Sequence, residues 1–335
     1  MADVHRSVQA LSLLGAVPPE YVRSVHERPG NTNFCAGSGS EEAPVLDMSQ
    51  PRCGARMANA ATKWGFFQVI NHGVPAATMA EMQRVGHDFF ALPQGEKERY
   101  ATDPTSGRIE GYGVGTKASR NLEEGKKLWA DFFYHYVAPA AMVNHDIWPK
   151  NPAGYREANE EYARHMLRLT REMLEHLSVG LGLEKGAMRE AFGGDDLVLL
   201  QKINSYPPCP QPGLILGIGQ HTDMGTLTVL LPNEVQGLQI FKDDRWYDVK
   251  YVPEALIVLI GDQIEILSNG RYKAGTHRAT VNKEKTQMSW PVFVEPPGEV
   301  VVGPHRQLTT DDSPAKYKAK KYKDYQYCKI NLLPQ

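Results

Sequence analysis

Cysteine is scarce in this chain, with four residues in 335, Cys35, Cys53, Cys209 and Cys328, and no Cys-x-x-Cys or other paired spacing. A chain this long has no need of disulfide staples, so the four read as reduced thiols of a cytoplasmic protein. Excess charge of either sign is also lacking: 37 Lys and Arg stand against 39 Asp and Glu. No global field favours nucleic acid or an anionic membrane. Long apolar runs are missing too. No stretch approaches the ~18 apolar residues of a membrane span, and no apolar segment follows basic residues at the N-terminus as in a secretory signal. With no exposed apolar heptad or edge signal, a soluble monomer is the expectation, built as one extended domain or as a domain with a helical wing.

What is present has two textures. Residues 31–43 are Gly, Ser, Asn and Glu, a flexible crossing between a short N-terminal helix and the body. Residues 45–47 and 66–70 read as short strands flanking a helix. Segment 78–90 puts Met79, Met82, Val85, Phe89 and Phe90 at helical spacing, and 154–181 repeats the pattern with Tyr155, Tyr162, Met166, Leu169, Met173, Leu177 and Leu181. Such Met and aromatic stripes are core packing rather than a cofactor box.

After Gly193-Gly194, short β-favouring runs punctuated by Pro and Gly take over: 197–206, 214–218, 226–231, 238–241, 256–260, 278–282 and 287–294. They predict a mostly β core with α, a double-stranded β-helix (jelly roll) flanked by N-terminal helices and a C-terminal helix. The division is 1–43 for the N-terminal helix and crossing, 44–195 for a mixed helical region, 196–300 for the jelly-roll catalytic core and 301–335 for a covering segment. Within the last, 316–327 interleaves Lys with Tyr317, Tyr322, Tyr325 and Tyr327. A basic aromatic segment can be a nucleic-acid arm, but in a chain of balanced charge a covering helix with a solvated lysine face is the better reading.

The chemistry concentrates in Gly219-Gln220-His221-Thr222-Asp223-Met224 and in His277. Alternate residues of a strand point to one side, so His221 and Asp223 can both reach one ion, with His277 joining from an opposing strand. Two imidazoles and a carboxylate give a divalent iron one face of its octahedron and leave the rest open. In a chain with 11 His, the spacing alone is a weak signal, more often unrelated histidines and a surface Asp than a ligand pair. The neighbours argue for a site. Lys202, Asn204 and Tyr206 share one strand face that is polar where a barrel interior is apolar, and the same parity groups Gln287, Ser289, Phe293 and Glu295 on another. Singly, each could be an exposed strand face; together they imply a wet or ligand-filled cavity.

Five stretches bear a resemblance: Trp64-Gly65-Phe66-Phe67-Gln68-Val69-Ile70-Asn71-His72-Gly73, Ile203-Asn204-Ser205-Tyr206-Pro207-Pro208-Cys209-Pro210, His221-Thr222-Asp223-Met224, Gly261-Asp262-Gln263-Ile264-Glu265-Ile266-Leu267-Ser268-Asn269-Gly270 and Ser289-Trp290-Pro291-Val292-Phe293. With them the chain resembles the plant iron(II)/2-oxoglutarate-dependent dioxygenases almost end to end, and within them is most similar to the flavonol synthases. The resemblance implies Fe(II) on His221, Asp223 and His277, 2-oxoglutarate against Asn204, Tyr206, position 287 and Ser289, and ascorbate as reductant. It implies a flavonoid gripped by Lys202, Phe293 and Glu295, with Phe132 and Tyr134 also facing the substrate.

The departures from that pattern cluster at the site. Where relatives carry Arg-x-Ser, with Arg paired to the distal carboxylate of 2-oxoglutarate, this chain has Gln287-Met288-Ser289. A neutral amide replaces a forked cation, and losing one partner of a buried charge pair costs about 2–5 kcal/mol. Flavonol synthases usually have His and Phe where Phe132 and Tyr134 stand; Ala274-Gly275-Thr276 replaces bulkier residues; Gln220 and Gly225 flank the ligand pair unusually.

Three functions follow from the residues. The first is a non-haem iron oxidoreductase of plant specialised metabolism that desaturates or hydroxylates a dihydroflavonol or flavanone with oxygen and 2-oxoglutarate. The second is a repurposed metal enzyme performing a cyclisation, isomerisation or elimination on a related aromatic metabolite, with weakened or no 2-oxoglutarate use. The third is a binding protein without turnover.

Overall fold

The computed structural model describes residues 7–29, 43–103, 109–114 and 126–335. The expected crossing at 31–43 lies outside them apart from Ala43, as does Cys35. The helices are α1 (Val8–Leu11), α2 (Cys53–Lys63), α3 (Ala76–Ala91), α4 (Gln94–Glu98), α5 (Tyr155–Gly180), α6 (Ala187–Ala191), α7 (Asp262–Leu267) and α8 (Tyr322–Ile330). The strands are β1 (Val45–Asp47), β2 (Phe66–Ile70), β3 (Gly111–Val114), β4 (Asp131–Ala138), β5 (Val198–Tyr206), β6 (Ile218–His221), β7 (Leu227–Pro232), β8 (Leu238–Lys242), β9 (Arg245–Asp248), β10 (Leu256–Ile260), β11 (His277–Ala279), β12 (Gln287–Glu295), β13 (Val301–Val302) and β14 (Lys320–Lys321).

The apolar stripes do what their spacing predicts, except that Leu181 falls just past the end of α5 and is only partly buried. Met79, Met82, Val85, Phe89 and Phe90 of α3 are buried, as are Tyr155, Tyr162, Met166, Leu169, Met173 and Leu177 of α5, and α5 packs along α2 and α3. At about 1.5–3 kcal/mol per large apolar side chain, these stripes seat the helical layer firmly on one face of a sheet.

That sheet has eight strands in the order β1-β2-β10-β7-β12-β5-β4-β3, and a second has four in the order β6-β11-β8-β9. The large sheet recruits β1 to β4 from before residue 196. Its pleat divides each strand between two environments. In β10, Leu256, Val258 and Ile260 join the core under the helices, while Ile257 and Leu259 join a second core with Leu238 and Ile240 of the small sheet. In β12, Met288, Trp290, Val292 and Val294 take the helix side, so Gln287, Ser289, Phe293 and Glu295 face the space between the sheets. The same parity turns Lys202, Asn204 and Tyr206 of β5 into that space. The polar face inferred from sequence alternation is therefore the face turned away from the helices, toward the small sheet.

Several sequence boundaries shift. Residues 214–218 do not form a strand: Pro212–Leu214 makes a turn of 3-10 helix, where Pro212 fixes φ, and β6 starts only at Ile218. Strand β11 starts at His277 and stops at Ala279 rather than running over 278–282. Strands β3, β4 and β9 were not expected. At the C-terminus, Lys320–Lys321 pair with β13, and the covering helix runs from Tyr322 to Ile330 with Tyr322 and Tyr325 buried. Its lysine face is solvated as expected, Lys323 reaching Glu299. Cys53 and Cys209 are buried free thiols. No described helix is long and apolar enough to cross a membrane.

Candidate active site

His221 is the last residue of β6 and His277 the first of β11, and the two are direct partners across this antiparallel pair. The third ligand candidate thus comes from the adjacent strand of the same sheet, not from an opposing one. Asp223 is not on a strand at all. It lies in the turn after β6, and that turn is tied to the start of α7: Asp262 N–H donates to the Asp223 carbonyl at 2.9 Å and Gln263 N–H to the Gly225 carbonyl at 3.0 Å. The i, i+2 spacing works because the turn, rather than a pleat, swings the carboxylate back beneath the imidazoles.

Each ligand is held by its other end. His221 Nδ1 is 2.9 Å from the Gly219 carbonyl and His277 Nδ1 is 2.9 Å from the Gly275 carbonyl. A carbonyl can only accept, so Nδ1 carries the proton in both rings and the Nε2 lone pairs are free. Thr228 Oγ1 donates to Asp223 Oδ2 at 2.5 Å, leaving Oδ1 turned to the histidines. Asp223 Oδ1 lies 3.5 Å from His221 Nε2 and 3.8 Å from His277 Nε2, and a donor atom from each of the three lies within 4.8 Å of the others. Bonds of about 2 Å from one ion to mutually adjacent donors give separations of this order, so the donor set fits a divalent cation. Burial would raise the Asp223 carboxyl, but the two histidines and Thr228 hold it well below the usual carboxylate range. Burial, with His221 adjacent, pushes the His277 imidazole down to about 4, keeping it neutral and able to ligate.

Beside these ligands, β5 and β12 bring the second group together. Gln287 is the register partner of Tyr206 and Ser289 that of Asn204, whose Nδ2 donates to Ser289 Oγ at 3.1 Å. The Gln287 amide is 3% exposed and lies flat against Gly237, where even a methyl group would meet its Oε1 at 2.0 Å. Neither Gln287 Oε1 nor Asn204 Oδ1 has a hydrogen-bond partner.

The third group is flat and aromatic. Phe132 and Tyr134 of β4 stand edge to face at 5.7 Å, and Tyr134 stacks on Phe293 at 6.3 Å and 24°. Phe132 sits directly over Gly113 of β3, where any Cβ would collide with its ring at 2.2 Å. The Lys202 ammonium rests 5.1 Å from the Phe132 ring and 4.9 Å from that of Tyr134, and burial pushes it down to about 8. Burial pushes the Glu295 carboxyl up to about 7, and Gln326 Nε2 of α8 donates to it at 3.3 Å. The residues named from sequence thus fall into three groups: the metal donors, the Asn204, Tyr206, Gln287 and Ser289 pairs of β5 and β12, and the Phe132, Tyr134, Lys202 and Phe293 cluster, with Glu295 at the end of β12. Thr228 was missed, although a lone hydroxyl in the buried apolar strand Leu227–Pro232 was the available signal. Lys329 and Asp262 behind the ligand turn were missed as well.

Residues 196–296 match the 2OG-Fe(II) oxygenase superfamily, and residues 43–151 match a family described as the non-haem dioxygenase in morphine synthesis N-terminal. Flavonol synthase 1 of Crocosmia x crocosmiiflora is 55% identical over 98% of both chains. This chain belongs to the 2OG-Fe(II) oxygenase superfamily. It is a flavonol-synthase-like, dioxygenase-type enzyme within it. The flavonol synthase/flavanone 3-hydroxylase of Petunia hybrida is 52% identical over 98% of this chain and 95% of its own. Among solved structures, JOX2 in complex with 2OG, Fe and JA superimposes with a TM-score of 0.87 at 34% identity, covering 96% of this chain and 92% of the other.

Proposed function

We propose that this oxygenase desaturates or hydroxylates a flavonoid such as a dihydroflavonol or flavanone. His221, Asp223 and His277 would hold Fe(II), and bound there, the metal with its 2-oxo acid co-substrate supplies an oxygen-derived oxidant able to take hydrogen from an unactivated carbon. The chain's own side chains do the rest. Phe293 and Tyr134 offer parallel ring faces for a flat polycycle. Lys202 donates to a phenolic or carbonyl oxygen from between two rings, and Glu295 accepts from a hydroxyl. Ser289, Asn204 and Tyr206 would orient the co-substrate, while Gln287 contributes an amide where relatives place a guanidinium. The observation that carries the reading is the convergence of three preset metal donors on the same inter-sheet space as the aromatic clamp.

Weak use of 2-oxoglutarate is the consequence of Gln287. The missing charge corresponds to roughly 30-fold or more in affinity. Incubation with iron(II), ascorbate and a panel of dihydroflavonols and flavanones, with and without 2-oxoglutarate, tests the proposal. Oxygen-dependent succinate release matched by oxidised flavonoid is the expected outcome. Equal turnover without 2-oxoglutarate would instead support a repurposed metal enzyme with an altered conversion, and equal turnover without oxygen a non-oxidative one, the alternative raised by Gln287.

A further inference from the structure

The turn that carries Asp223 is held from behind by a residue far away in sequence. Lys329, half-buried on α8, donates to the Thr222 carbonyl at 3.0 Å and to Thr222 Oγ1 at 2.6 Å, and its ammonium also bonds the carboxylate of Asp262. Thr222 is the residue between two ligand candidates. Asp262, 7% exposed, accepts in addition from the Tyr325 hydroxyl at 2.9 Å, and its backbone N–H is the group that holds the Asp223 carbonyl. An ammonium has three N–H donors, and here three acceptors on two different segments take them. Remove the ammonium and Thr222 loses its anchor to both α7 and α8.

We infer that Lys329 is a positioning residue for the metal centre, clamping Thr222 against Asp262 so that Asp223 and His221 are presented at the separation an ion requires. This rests on the metal-centre reading above and extends it to the C-terminal helix. Positioning and charge act with opposite signs, which makes the inference decidable. The ammonium is a positive charge near the site, one of the neighbours that keeps the His277 imidazole low alongside burial and His221. If Lys329 acted through its charge alone, removing it would tighten binding of a divalent cation. If it positions the turn, removing it weakens binding, as loss of groups that orient metal ligands does.

The experiment is a Co(II) titration of the metal-free full-length chain, followed by the visible absorbance of the bound ion, for the parent and for Lys329→Met, Lys323→Met and Thr222→Val. Lys323 is on the same helix, exposed and paired with Glu299, so its variant makes the same charge change away from the turn. Lys329→Met is expected to weaken Co(II) binding by about 10-fold or more. Thr222→Val, which deletes only the hydroxyl contact, is expected to weaken it roughly 2- to 10-fold, and Lys323→Met to leave it unchanged. A Lys329→Met protein that melts at lower temperature yet binds Co(II) as tightly as the parent, or more tightly, overturns the inference. If Lys329→Met does not fold, Thr222→Val decides, and unchanged affinity there overturns it equally. A parent that binds no Co(II) defeats the metal-centre reading itself, an outcome separate from a parent that binds and a Lys329→Met variant that matches it.

Discussion

The two corners of the cavity are finished to different degrees. At the metal corner, every polar atom of the three ligands that is not turned to the common centre has a protein partner: Gly219 for His221, Gly275 for His277, Thr228 for Asp223. At the corner formed by β5 and β12, Gln287 Oε1 and Asn204 Oδ1 are buried with no protein partner. A buried acceptor without a donor costs about 1–3 kcal/mol. The first corner is complete before anything binds. The second leaves two amide oxygens that the protein itself does not satisfy, open to water or to a bound molecule. The metal-ligand end is thus preorganised by protein partners, whereas the end next to Gln287 is not.

That contrast can be broken at several points. The largest effect belongs to Asp223→Ala, which removes the ligand shared by both imidazoles; Co(II) affinity should fall more than about 100-fold, beyond what loss of an orienting group costs. Affinity within a few-fold of the parent would show that the complete corner is not a metal corner. Lys202→Met should come next. Losing the ammonium between Phe132 and Tyr134 should weaken dihydroflavonol binding roughly 5- to 30-fold, read by quenching of tryptophan fluorescence, with Co(II) affinity untouched. In the parent, the same affinity should decline as pH rises through about 8, where Lys202 loses its proton. A flat profile would place the ligand elsewhere.

The smallest effect concerns stability. Glu295 has its carboxyl raised to about 7 by burial, so the folded chain holds a proton that the unfolded chain releases above its ordinary carboxylate pKa. Stability from this group is complete below about 4.5 and is lost as pH rises to about 7. Glu295→Gln should therefore raise the melting temperature of the metal-free protein at pH 8 by the equivalent of on the order of 1–2 kcal/mol, with little gain at pH 4.5. Equal gains at both pH values would contradict the burial argument.

Much of this was legible before any coordinates. The helices α3 and α5 announced themselves because Met79, Met82, Val85 and Phe89, and Tyr162, Met166, Leu169 and Met173, recur at a turn's spacing. The polar face of the site was legible for a related reason: Lys202, Asn204 and Tyr206, and Gln287 and Ser289, fall at alternate positions, and a strand puts alternate positions on one face. Strand β4 escaped because Asp131–Ala138 is aromatic on both faces, Phe132 and Tyr134 toward the cavity and Phe133 toward the helices, so it shows no alternation. Asp223 was assigned to a strand because its spacing from His221 suits a pleat as well as it suits a turn. The contacts of Lys329 with Thr222 were beyond reach, since a pairing between a C-terminal helix and a turn 107 positions earlier obeys no local period.

The unequal corners are tested most directly by measuring 2-oxoglutarate binding to the iron-loaded protein without oxygen, in the parent and in Gln287→Arg. The variant should bind about 30-fold or more tightly, as a restored charge pair requires, while its Co(II) affinity stays that of the parent. Equal 2-oxoglutarate affinity in the two proteins would contradict the account.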